Sequence, residues 1–94
     1  MIGKRERMVS EILTVTNSVG LHLRPAAVFA EAMQQFECKV TILFNEREIN
    51  AKSVINIMAA GIGCGAEIEV QCEGPDEKEA LKKAAELIYS GLEE

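Results

Sequence analysis

The chain has 94 residues, of which 48% are hydrophobic and 4% aromatic, with 15 acidic side chains against 10 basic ones. That length makes one small domain, and the apolar share is enough for a single core without metal or disulfide staples. A net charge of −5, with no run of basic residues interleaved with aromatics, excludes nonspecific nucleic-acid binding, so partners are expected among proteins and small anions.

Residues 1–8 include Lys4, Arg5 and Arg7, but no apolar stretch follows that could act as a secretory signal, and no segment approaches the length of a membrane span. We read 1–8 as an N-terminal extension, expected to be disordered, with Met8 as an alternative start, and 9–92 as a single domain. Cys38, Cys64 and Cys72 are odd in number and lack metal-ligand spacing, and one histidine cannot complete a zinc set. They are expected to be reduced thiols in a cytoplasmic protein that inserts into no membrane and holds no metal or cofactor.

Residues 9–16 are rich in β-branched side chains with partial alternation, and Asn17-Ser18-Val19-Gly20 follows with turn chemistry, which predicts a first strand. Pro25 fits the first turn of a helix, where its missing N–H costs nothing, and Phe29, Met33 and Phe36 recur at helical spacing, so a helix is predicted over 24–35. Cys38, Val40, Ile42 and Phe44 alternate with Lys39, Thr41 and Leu43, giving a second strand with one apolar face. Asn45-Glu46-Arg47 makes the turn, and 48–51 returns as a short antiparallel strand.

Ser53 is the natural N-cap of a short helix over 54–60, which Gly61 is placed to end. Residues 66–72 read Ala-Glu-Ile-Glu-Val-Gln-Cys, the cleanest alternation in the chain, and Gly74-Pro75 breaks this strand. Asp76 with Glu79 has the form of a capping box, after which Leu81, Ala84, Leu87 and Ile88 line one helical face as far as Gly91. The order β-α-β-β-α-β-α, with each strand polar on one side, predicts an α+β fold: an open-faced β-sandwich whose four-stranded antiparallel sheet is covered on one face by three helices.

His22 is the only histidine, and it stands between the first strand and the first helix. A lone loop histidine is ordinarily a plain surface residue, but its neighbours here change the reading. Helix amides and the positive end of the helix dipole lie beside it, and Arg24 follows two residues later. Both leave a ring nitrogen available for attack and both stabilise a phosphoryl group once attached, so one arrangement serves nucleophile and product.

The string Gly20-Leu21-His22-Leu23-Arg24-Pro25-Ala26 resembles the active-site motif of the HPr family, the histidine phosphocarriers of the bacterial phosphoenolpyruvate-dependent phosphotransferase system. Ala51-Lys52-Ser53, the apolar helix after it, Gly61-Ile62, Gly65-Ala66-Glu67-Ile68 and Glu73-Gly74 are similar to the rest of that family, so the resemblance runs from Val9 to Leu92. It implies that His22 accepts a phosphoryl group on Nδ1 from the phosphohistidine of Enzyme I and passes it to IIA proteins or domains, in sugar uptake or its regulation. Arg24 would steady the phosphate, and the chain would act as a monomeric carrier rather than a free-standing enzyme, which one histidine and one arginine are too few to build.

N-capping alone accounts for Ser53, but the resemblance also matches it to the serine that a dedicated HPr kinase/phosphorylase modifies in some lineages. A phosphate there would be stabilised by the helix end, while its charge would oppose docking to an acidic partner. For the partner surface, Leu23, Ala27, Val54, Ile55 and Met58 form the expected apolar patch. The glycines of Gly61-Ile62-Gly63-Cys64-Gly65 are read as a helix exit and tight loop, since no strand leads in and no long helix follows as a nucleotide site requires. Leu23, where many relatives carry a smaller or polar residue, and Glu31, where sugar-branch relatives often carry a basic one, together with Asn56 and the acidic balance, leave open the nitrogen-regulatory branch or a carrier with a regulatory output. A non-catalytic binding module, with His22 incidental, is the remaining alternative.

Overall fold

Strands form where branched apolar residues alternate with polar ones, because one side of the pleated ribbon can then face a core. The computed structural model describes residues 8–92. It holds β1 (Met8–Thr14), α1 (Leu23–Met33), β2 (Lys39–Phe44), β3 (Arg47–Asn50), α2 (Val54–Ala59), β4 (Glu67–Glu73) and α3 (Glu77–Tyr89), in the expected order. The strands form one antiparallel sheet in the order β1-β4-β2-β3.

The registers sort the two faces. Leu13 lies opposite Ile68, and Ile42 lies opposite both Val70 and Ile49, all of them buried. On the other face Glu69 stands between Ile12 and Leu43, and Ile12 is open to water. The inner face is covered by Phe29 and Met33 of α1, Ile57 of α2, and Ala80, Ala84 and Ile88 of α3. This is the open-faced α+β sandwich that the alternation predicts.

Several local expectations are corrected. Met8, expected in the extension, opens β1 opposite Glu73, while residues 1–7 lie outside the described residues. Arg47 belongs to β3 rather than to the turn, because Asn45 and Glu46 both take positive φ (52° and 64°) and close a two-residue hairpin by themselves. The buried stripe of α3 is Ala80, Ala84 and Ile88, with Leu81 and Leu87 only half-buried at its margins.

The Asp76–Glu79 capping box does not form. Asp76 makes no side-chain cap; its carboxylate instead accepts the amides of Glu37 and Cys38, each at 2.9 Å, and so joins the start of α3 to the start of β2. Glu77 takes the local role, its Oε1 accepting the Gly74 amide at 3.0 Å. The close approach requires a glycine, since a Cβ on Gly74 would sit 2.7 Å from Cys38 Cα. At the far end of α3, Leu92 N–H donates to Leu87 O at 3.2 Å, with Gly91 at φ 87°, a Schellman closure that buries Leu92.

Candidate functional site

Backbone pairing continues past the end of β1 and fixes the course of the loop that leads to α1. Val15 N–H donates to Ala66 O at 2.9 Å and Gly65 N–H to Val15 O at 2.8 Å, so the loop after β1 lies against the loop before β4. Thr16 Oγ1 donates to Ile88 O at 3.3 Å and ties the same loop to α3. Leu21 is buried, and its amide donates to Ile62 O at 2.9 Å. The residue after it emerges from a braced segment.

That residue is His22, which is exposed and is the N-cap of α1, with extended φ −79° and ψ −167°. Its carbonyl accepts the Ala26 amide at 2.8 Å, but its imidazole makes no cap hydrogen bond. The helix end therefore keeps its own unmet needs. The amides of Leu23 and Arg24 have no acceptor inside the helix, Pro25 has no N–H, and no acidic residue stands in the first turn to offset the dipole. An anion carried by His22 would meet those amides and the exposed guanidinium of Arg24.

The residues expected to meet partners divide by exposure. Leu23 is 59% exposed, Ile55 76% and Met58 40%, on two helices that pack against each other. Ala27 and Val54 are partly buried, and Val54 packs against the core, so these two form the floor of the patch rather than its face. The helix pair is held by Gln34 Nε2, which donates to Lys52 O at 2.9 Å, and by Lys52 Nζ, which donates to Phe36 O at 2.6 Å. Ser53 is the N-cap of α2: its Oγ accepts the Asn56 amide at 3.2 Å.

Two neighbours of the site belong to no chemical motif in the sequence. Val19 is 54% exposed in the loop just before His22. Asn17, whose type suggests only turn chemistry, is buried and donates through Nδ2 to Gly20 O at 2.6 Å. Of the three cysteines, Cys64 is exposed and its Sγ donates to Thr16 O at 3.9 Å in the loop that leads to His22, while burial first, and then the Asp76 hydrogen bond, pushes the Cys38 thiol up to about 11. Burial, with Cys38 beside it, pushes Cys72 up to about 12.

Residues 9–90 match the family model for the PTS HPr component phosphorylation site, a span covering nearly the whole chain. The chain belongs to the HPr family. It is 39% identical over 87 residues to the phosphocarrier protein HPr of Treponema pallidum, an alignment that takes in 93% of this chain and 99% of the relative. Its fold is similar to the crystal structure of HPr-C-His from Thermoanaerobacter tengcongensis, with a TM-score of 0.88 and 34% identity over 92% of this chain and 97% of the other. A crystal structure of an HPr dimer from the same organism is also similar, with a TM-score of 0.74 and 35% identity, covering 87% of this chain and 94% of that one. As an HPr-family protein, this chain is a phosphocarrier of the phosphotransferase system. Among the described residues, no helix is long and apolar enough to cross a membrane.

Proposed function

We propose that His22 is the residue that carries the phosphoryl group, accepting it on Nδ1 from the phosphohistidine of Enzyme I and delivering it to IIA proteins or domains. The observation that supports this most is the exposed imidazole at the N-cap of α1, uncommitted to capping, ahead of amides that lack helical acceptors. In the accepting step the His22 nitrogen attacks phosphorus, a new N–P bond forms, and the N–P bond to the donor imidazole breaks with its electron pair returning to that ring. Arg24 and the helix end offset charge on the phosphoryl oxygens, and the same step in reverse order hands the group to the next imidazole. No nucleotide is consumed.

Leu23, Ile55 and Met58 are the apolar contacts that donor and acceptor share, over a floor of Ala27 and Val54. The protein works in the cytoplasm as a monomer, the state in which both partners reach His22 in turn, and 9–92 is the working domain. Ser53 is the regulatory position: a phosphate from an HPr kinase/phosphorylase would sit at the mouth of α2 and place negative charge at the edge of the docking face. The carrier's output is sugar uptake or the regulation of it.

Incubation with Enzyme I and phosphoenolpyruvate should add one phosphoryl group by intact mass, acid-labile and alkali-stable. His22→Ala should abolish it, and Arg24→Ala should slow its transfer. A phosphoryl adduct of the same lability in His22→Ala would refute the assignment. Sedimentation at working concentration tests the monomer, and a dimer there would overturn it.

A further inference from the structure

We infer that Asn17 is a positioning residue of the phosphoryl site, holding the main chain that presents His22; the inference rests on the reading of His22 as the phosphoryl acceptor. Asn17 is 3% exposed, the one polar side chain buried among the described residues. Its Oδ1 has no hydrogen-bond partner there. A buried acceptor without a donor costs stability, so packing alone would favour an apolar residue at this position. What the amide adds is its donor: Nδ2 reaches Gly20 O at 2.6 Å, across a turn that Gly20 N–H also closes onto Asn17 O at 3.1 Å.

The peptide held in this way stands immediately before the site. Gly20 takes φ +68°, and a Cβ there would lie 2.5 Å from Ile62 O and 2.6 Å from Gly63 Cα, so the turn is pressed against the neighbouring loop. Leu21 N–H then donates to Ile62 O at 2.9 Å. The carbonyl side of the Gly20–Leu21 peptide is thus gripped by Asn17 and its amide side by Ile62. His22 comes next in extended conformation and α1 begins at Leu23. If Asn17 is removed, that peptide plane loses the grip on its carbonyl, and the imidazole drifts relative to the amides of Leu23 and Arg24. In-line transfer is sensitive to such drift, since a misplacement of about 1 Å can cost about a hundredfold in rate. The exposed docking residues Leu23, Ile55 and Met58 are left in place.

Asn17→Leu keeps about the same size but offers no donor to Gly20 O, and Asn17→Ala removes the side chain. Each is compared with the wild type using two donors: phosphoramidate, a small molecule that needs no docking surface, and Enzyme I with phosphoenolpyruvate. Both variants should fall about tenfold or more in the phosphoramidate rate and in kcat with Enzyme I, while KM for the carrier changes less than about twofold. An unchanged kcat, or a raised KM with kcat intact, overturns the inference. Should either variant fail to fold, the wild type still decides: the Asn17 side-chain amide protons should exchange slowly with solvent, and their nitrogen resonance should shift when His22 is phosphorylated. Exchange at the rate of an exposed amide, or no shift, overturns it. If the wild type itself takes phosphate from neither donor, the reading of His22 has failed instead, and the two failures are told apart.

Discussion

Ile57→Ala separates docking from chemistry. Helix α2 runs only from Val54 to Ala59 and places one residue, Ile57, in the core, where it is fully buried. A helix this short has no stability of its own, so the burial of Ile57, with Val54 packed at the edge of the core, holds Ile55 and Met58 in place. The truncation removes three carbons, a transfer loss of about 2.4 kcal/mol at about 0.8 kcal/mol each. The space left behind adds a cavity cost, which brings the expected loss to about 3–4 kcal/mol, within the range of about 2–5 kcal/mol seen for such changes. For a domain of this size that lowers the thermal midpoint by at least about 12 °C. Urea unfolding followed by circular dichroism measures it, and hydrogen exchange should show the α2 amides opening before those of the sheet. His22 and Arg24 lie at the start of α1, so phosphorylation by phosphoramidate at low temperature should stay close to the wild-type rate while transfer from Enzyme I falls through KM. A stability loss under about 1 kcal/mol would refute the anchoring role, and an equal fall with both donors would refute the division between docking and chemistry.

The hairpin turn holds a removable strain: Glu46 sits at φ 64° without being glycine, so Glu46→Gly should stabilise the fold by about 0.5–1 kcal/mol and raise the midpoint by about 2–8 °C, and an unchanged or lower midpoint would count against the positive φ. Asp76 is held below its ordinary 3.8, first by the Glu37 amide and, against the opposing effect of burial, also by the Cys38 amide. A carboxyl lowered in this way contributes stability that is present above 3.8 and lost as pH falls through its folded value; Asp76→Asn should therefore be less stable than wild type at neutral pH, and urea midpoints of the two should converge in acid. Iodoacetamide at neutral pH should label Cys64 first, with Cys38 and Cys72, raised to about 11 and about 12, protected until the chain opens. Because the unfolded thiols titrate near 9.0, the same burial should make stability fall as pH rises past that value, and peptide mass spectrometry and an alkaline unfolding series check the two statements.

Element type and order were legible because short-range patterns encode them: alternation in the strands, Ser53 before α2, Gly91 after α3. Apart from Arg47, whose place was decided by the two-residue turn beside it, the errors share one origin: a side chain with a local reading was recruited by something distant in sequence. Asp76 has the right identity and position for a helix cap, yet it bonds Glu37 and Cys38, and no spacing within α3 announces that. Leu81 and Leu87 are the larger residues of α3, but smaller Ala80 and Ala84 turn inward, because a helix lying on a sheet approaches closely where its side chains are small.

The site divides along the same line. Of the proposed site, His22, Leu23, Arg24 and Pro25 were legible in the sequence alone, since imidazole, cation and helix start are contiguous and share a single helix end. Only the tertiary structure decided how that helix end is held. The grip of Asn17 on Gly20, the passage of the turn against Ile62 and Gly63, the anchoring of α2 by Ile57, and the sorting of Ile55 outward from Val54 all depend on which surfaces meet when the sheet and helices close. The Asn17–Gly20 bond is short in sequence but lies in a loop buried against Ile62 and Gly63; the other contacts join residues far apart in the chain, and sequence periodicity reports only on neighbours.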